Sequence, residues 1–346
     1  LQTGSSDPVA TYPKVNGDVS VAISDGSGGW YIGGAFTKVG NADHVNIAHI
    51  LANGTVDSAW NAGANAPVRA LALHASTLYI GGEFTKVNGA ARSYMAALTA
   101  AGSDTGINFN IARTVRAIAV RSSKIYVGGD FKATDGGVAA NNFAVFDLSG
   151  SFKDDGGIGS SFDSSDSVYA IAFNGSDRFV GAVNKFIHNT DTPVITGGSV
   201  RDFAFDGTYT YIALSLDGPA GSYALDHTLL RADSANVVDA AWNPVPVDSA
   251  HFVTQGVNAL TYDSGSSILY IGGTFMRVKN QVRRSLAAIN TSSDTLAAWN
   301  PQPVDAVYGL SYQSGTVYAG GSFTTIGSQV AMRTGAAAID MTNDTL

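Results

Sequence analysis

The sequence predicts an all-β fold, a seven-bladed β-propeller with four-stranded blades, and three observations carry that prediction. A ten-residue phrase, LYIGGEFTKV at 78–87, recurs as WYIGGAFTKV from Trp30, KIYVGGDFKA from Lys124, LYIGGTFMRV from Leu269 and VYAGGSFTTI from Val317, with two eroded relatives, RFVGAV from Arg178 and TYIALS from Thr210. An alternating strand precedes every copy, starting at Val19, Val68, Val115, Val168, Val200, Val257 and Val307, at spacings of 49, 47, 53, 32, 57 and 50 residues. Repeats of about 40–50 residues with four strands each are the signature of propeller blades. The third observation is composition: of 28 acidic residues only Glu83 is a glutamate, while 40 glycines and many Asp, Asn and Ser serve turns. Helix formers are scarce and turn formers abundant.

The unit starting at Val68 shows the elements in order. VRALAL (68–73) alternates and ends in a turn at 74–77; LYIGGEF (78–84) returns as a hairpin partner; a polar loop (85–93) leads to YMAALTA (94–100); a turn leads to TGINFN (105–110). Short runs of this kind with turns between them read as an antiparallel meander. The Gly-Gly pair is expected where blades converge on the axis and backbones approach closely. No helix follows those glycines, so a phosphate cradle is not indicated. The aromatic before Asn, at Trp60, Phe109, Trp242 and Trp299, with Phe162 ahead of an Asp, is expected to be a packing wedge between blades.

Seven repeats account for residues 1–346 as one domain. The last repeat stops after its third strand, AAAIDM (336–341), and PVATYP (8–13) precedes the first, so the N-terminal strand is expected to complete the last blade. That closure would remove the open edges of a linear array. Repeats four and five depart from the pattern. The 32-residue spacing implies a clipped fourth blade, and the link 243–256 (NPVPVDSAHFVTQG) is twice as long as NAGANAP (61–67).

Composition excludes several functions. Net charge is −8 without a Lys/Arg run, which speaks against nucleic acid and anionic membranes. There is no cysteine for disulfides or thiolate metal sites. No apolar run approaches the ~20 residues of a membrane span. The chain opens at Leu1, as expected of a mature or excised piece of a larger exported protein. Neither a G-x-S-x-G elbow nor an H-E-x-x-H pair is present. The six histidines are scattered over different repeats. Asp147, Asp154, Asp155 and Asp163 lie close together in sequence and suit Ca²⁺ chemically, but they lack EF-hand spacing, and turn formation is the favoured explanation. No cofactor is expected.

The combination of Tyr-Ile-Gly-Gly-x-Phe-Thr, an alternating strand, an Asp/Gly turn and Trp or Phe before Asn resembles the Delta-60-type repeat of bacterial surface proteins, itself similar to kelch propellers. Segments 33–60 and 272–299 carry the likeness best. The resemblance implies a kelch-like propeller in a secreted or cell-surface protein and supplies no catalytic residues.

One pattern points to a site. The second residue of the inner strands reads Ser20, Arg69, Arg116, Tyr169, Arg201, Asn258 and Tyr308, at one mouth of the expected channel. Packing does not explain three arginines, whose planar forks suit carboxylates and vicinal hydroxyls. With His251 and Phe252 of the long link, Arg69, Arg116, Tyr169, Arg201 and Tyr308 form the expected ligand set, for a glycan or a surface protein, preferably acidic. The opposing expectation is that each arginine pairs internally along the rim. Three functions remain open: a non-catalytic binding or adhesion module, a glycan-active hydrolase or lyase with carboxylates over the channel, and a structural spacer.

Overall fold

A computed structural model describes residues 12–131, 140–154, 158, 162, 165–189, 193–215, 227–245, 256–327 and 333–341. These residues form strands, turns and bends without a helix, and they fall into seven antiparallel meanders. The inner strands are Asp18–Ser24, Val68–His74, Val115–Arg121, Val168–Asn174, Ser199–Phe205, Val257–Asp263 and Val307–Gln313. Each pairs with a second strand, which carries the glycine pair in five repeats, one glycine in the fourth and none in the fifth: Trp30–Ala35, Thr77–Gly82, Lys124–Gly129, Asp177–Ala182, Thr210–Ser215, Ile268–Gly273 and Thr316–Gly321. A third strand, such as Met95–Thr99 or Leu286–Asn290, lies on the far side of the second.

The fourth strand departs from expectation. It exists as Phe152–Asp154, Val194–Ile195 and Thr295–Leu296. In repeats one, two and five it shrinks to single bridges, Ile50 with Val56, Leu98 with Asp104 and Ala232 with Val238. Residues 105–110 are therefore not a strand. Asp104 explains the change: its carboxylate accepts the Gly106 N–H at 3.1 Å and the Arg92 Nε–H at 3.1 Å, which bends the chain off the edge. Repeat four keeps all four strands. Its short spacing is absorbed between the second and third strands, where repeats one, two and six carry two-stranded ribbons such as Lys86–Val87 with Ala90–Ala91.

Seven inner strands touch in succession, and Val307–Gln313 also touches Asp18–Ser24. The leading valines, Val19, Val68, Val115, Val168, Val200, Val257 and Val307, are all 0% exposed. The two glycines do different jobs. A Cβ on the first would collide with the leading valine of the next repeat, at 2.4 Å from Val115 Cγ1 for Gly81 and 2.4 Å from Val168 Cγ1 for Gly128. Gly320 faces Val19 Cγ1 in the same way at 2.6 Å. A Cβ on the second would strike backbone of its own sheet, at 2.2 Å from the Pro67 carbonyl for Gly82. Gly-Gly thus reflects one close approach between repeats and one within a sheet.

The aromatics before Asn are wedges. Trp60 packs 5.5 Å from Tyr31 of its own repeat and shares a core with Leu78 and Leu98 of the next. Phe109 sits between Tyr79 and Phe146 at 6.2 and 5.5 Å. The two ends of the chain also meet: the Val15 N–H donates to the Thr334 carbonyl at 3.0 Å, and Arg333 Nη1 donates to the Tyr12 carbonyl at 2.9 Å. Tyr12, Val15 and Val19 share a core with Ala336 and Ala338. Apart from Tyr12 and Pro13, the strand expected at 8–13 lies outside the described residues.

Candidate functional site

Every inner strand carries the same irregularity. In repeat two, Val68 pairs with Gly82 and Ala70 with Gly81, so Arg69 is the extra, unpaired residue of a β-bulge. Matching register shifts occur at Val19/Val21, Val115/Ala117, Val168/Ala170, Val200/Asp202, Val257/Ala259 and Val307/Gly309. A bulge re-aims its extra side chain. Repeated in seven inner strands, it brings Ser20, Arg69, Arg116, Tyr169, Arg201, Asn258 and Tyr308 to one axial cavity of about 500 Å³.

The arginines are engaged along the rim. Arg69 donates from Nε to Glu83 at 2.9 Å and from Nη1 to the Ser20 hydroxyl at 2.9 Å, linking repeats two and one. Arg116 makes a two-pronged contact with Asp130, 2.8 Å on each arm. Burial opposes the charge of Asp130, but the Arg116 guanidinium and the Ser167 hydroxyl outweigh it and hold the carboxyl below the usual range. Arg201 donates to the Ser215 hydroxyl at 2.7 Å. Glu83, Asp130 and Ser215 all follow the glycine-pair position of their own second strand. Two of the three arginines thus have acidic partners built into the repeat, as the expectation of internal pairing along the rim had it.

Tyr169 lies between two cations, 3.9 Å from the Arg201 guanidinium carbon and 5.3 Å from that of Arg116, measured to its ring centre. Tyr308 is more open, at 39% exposure, and its hydroxyl accepts from the Ser322 hydroxyl at 3.3 Å. Asn258 donates to the Val307 carbonyl at 3.1 Å, a further link between repeats. His251 and Phe252 lie outside the described residues.

Sequence reasoning missed Asp202, which lines the same cavity. Its two oxygens accept the Phe203 and Leu260 N–H groups, each at 2.8 Å. Burial pushes its carboxyl up to about 7 against the lowering effect of those two N–H groups. The signal was present in the aligned repeats, where Val21, Ala70, Ala117, Ala170, Ala259 and Gly309 hold the same position. The Ca²⁺ suggestion finds Asp147 otherwise occupied: it accepts the Ser149 and Ser151 N–H groups at 3.0 Å and pairs with Lys153 at 2.7 Å. Asp155 and Asp163 lie outside the described residues. Among the described residues no group of three His, Asp or Glu side chains could hold a metal ion.

Repeated meanders around an axial cavity define a β-propeller, and comparison with known proteins agrees. A family described as a domain of unknown function (DUF5122), beta-propeller, matches residues 26–59. The chain is similar in structure to the WD40 beta-propeller domain of Doa1, with a TM-score of 0.56, 11% identity, and coverage of 94% of this chain and 97% of that one. It is also similar to the extracellular domain of the putative hybrid two-component system BT4673 from B. thetaiotaomicron, with a TM-score of 0.55, 13% identity, and coverage of 98% of this chain and 40% of that one. At these identities the likeness is one of fold. No curated protein matches the chain. No helix of the described residues is long and apolar enough to cross a membrane.

Proposed function

We propose that the protein is a seven-bladed, kelch-like propeller of a secreted or cell-surface protein, closed by its N-terminal strand, that binds a glycan or peptide at the channel mouth without catalysis. The observation that carries this reading is the convergence of the seven bulged residues on one cavity of about 500 Å³. Such a volume lies within the ~300–1,000 Å³ of small-molecule sites and suits a sugar or a few peptide residues. A spacer would need the bulges for geometry but not Arg69, Arg116, Tyr169, Arg201 and Tyr308 on them. The BT4673 neighbour, an extracellular domain, supports export. Glycan and peptide arrays probed with the wild type, Arg201→Ala and Tyr308→Ala test the reading. Retention of the strongest signals by both folded variants would move the site elsewhere. The hydrolase reading would draw on Asp18 and Asp202, the two carboxylates that the described residues place on the cavity wall; release of reducing ends from an array-positive glycan would favour it.

A further inference from the structure

Asp202 stands where no acid is structurally required. Six equivalent positions hold Val21, Ala70, Ala117, Ala170, Ala259 and Gly309, and the same bulge forms in all seven strands. Asp202 does clasp the next repeat through the Leu260 N–H, yet a neutral acceptor would do that equally well. Each carboxylate oxygen has two lone pairs, and only one N–H donates to each. The residue is crowded by protein but keeps a partly exposed surface, and it lines the channel cavity. No described cation contributes to stabilising its charge; burial is opposed only by the two N–H groups. A carboxylate held in this way lacks two things, a positive charge and further donors.

We propose that the channel receives a protonated primary amine, with Asp202 as its counter-ion and the layer of Ala70, Ala117, Ala170, Ala259 and Gly309 leaving room for the carbon frame that carries it. An ammonium supplies three donors and a unit charge in a compact head. Among the described residues, the charged and titratable groups facing this space are Arg201 on the same strand, Tyr169 on the preceding inner strand, and Asp18, Arg69, Arg116 and Tyr308 around the cavity. Glu83 and Asp130 hold Arg69 and Arg116, so the rim does not bar a cation from the acid below it. The amine could belong to a peptide, as a lysine or amino terminus, or to an amino sugar. This inference rests on the mouth being the ligand site, and it names the chemistry of the part that enters.

The test uses the full chain at about pH 8, where Asp202 is mostly ionised. Titration with n-butylammonium chloride should saturate, while n-butanol should not. Asp202→Asn keeps the shape and an acceptor for the Leu260 N–H, and should weaken butylammonium binding by at least about tenfold, or 1.4 kcal/mol. Melting curves confirm the fold of the variant. Equal affinity in Asp202→Asn, or equal binding of butanol, overturns the proposal. Should the variant fail to fold, the wild-type ¹³C carboxyl resonance of Asp202 decides: it shifts on adding butylammonium, and no shift overturns the idea. Trilysine and a glucosamine trimer, each against its N-acetylated form, separate the two amine sources, and binding of both acetylated forms as tightly as the amines counts against it. An array ligand that needs Arg201 and Tyr308 but ignores Asp202→Asn overturns this inference and spares the mouth reading. Butylammonium binding without any array ligand dependent on those residues supports the amine pocket and confines the failure to the glycan or peptide named as the ligand of the mouth.

Discussion

The contact between the last repeat and the first can be tested through one pair of residues. Gly320 lies on the second strand of the last repeat, and a Cβ there would stand 2.6 Å from Val19 Cγ1 and 3.1 Å from Val19 Cβ. Its φ is not positive, so alanine is acceptable to the backbone and the whole penalty is steric. Gly320→Ala should therefore cost about 1–3 kcal/mol as overpacking. Val19 is 0% exposed, and Val19→Ala removes two buried carbons at about 0.8 kcal/mol each, with a cavity penalty on top. Separately the two changes sum to roughly 3–5 kcal/mol. Together they should cost less, because the new methyl enters the space the valine vacates. The expected coupling is about 1–2 kcal/mol, inside the range found for residues in contact. Urea unfolding of the four proteins, with m-values compared to confirm two-state behaviour, measures it. Additivity to within about 0.5 kcal/mol would refute the packing of repeat seven against repeat one. The pair Gly81 and Val115, inside the array, should give a similar coupling and serves as the reference.

Three further outcomes follow from the geometry. Gly102 has φ +80° and lies 3.1 Å, by its absent Cβ, from the Trp60 indole, whereas Gly63 would meet nothing nearer than 3.9 Å. Gly102→Ala should cost about 1–2 kcal/mol or more, and Gly63→Ala should stay within about 0.5 kcal/mol, by chemical denaturation; the reverse order would contradict the structure. His49 is clasped between Asp25 at 3.1 Å and Asp57 at 2.8 Å, and stacks on Tyr31. Burial opposes the charge of both acids, but His49 and nearby N–H groups, joined at Asp25 by the Ser27 hydroxyl, hold each carboxyl below its ordinary value. Depressed carboxylates stabilise above their unfolded value of about 3.9, and that contribution is lost as pH falls through the folded value. The melting temperature should therefore drop below about pH 4, and Asp57→Asn should flatten the drop; an unchanged acid slope would remove the clasp from the account. Deleting residues 1–18 removes the buried Tyr12 and Val15 and should lower the melting temperature by several degrees, since roughly 1 kcal/mol moves it about 1–2 °C in a chain of this size; an unaltered melt would count against closure by the N-terminal strand.

How much was legible in the sequence follows from which interactions are local. The inner strands, their partners and the aromatic wedges recur in the same order, because each unit must present the same faces to its neighbours. A close approach at the glycine pair was expected for that reason, although only the first glycine meets the next repeat, at its leading valine, and the second faces its own sheet. The convergence of the bulged residues was foreseen as a pattern, but its cause was not. A bulge is a matter of register, and alternation alone does not show that Arg69 stands outside the ladder between Val68 and Ala70.

Pairing was decided by the tertiary structure alone. That Arg69 meets Glu83 and Arg116 meets Asp130 depends on which side chains leave the second strand toward the rim; the sequence offered internal pairing as one of two expectations but did not name the partners. The thinning of the fourth strand to single bridges likewise hangs on individual carboxylates such as Asp104, which capture N–H groups and bend the chain. Asp202 shows the division most clearly. The sequence by itself determined that one repeat in seven carries an acid where the others carry Val, Ala or Gly. Only the folded chain placed that acid on the axial cavity against the Leu260 N–H, 58 residues away, because packing repeats side by side brings their inner strands together whatever their separation along the chain.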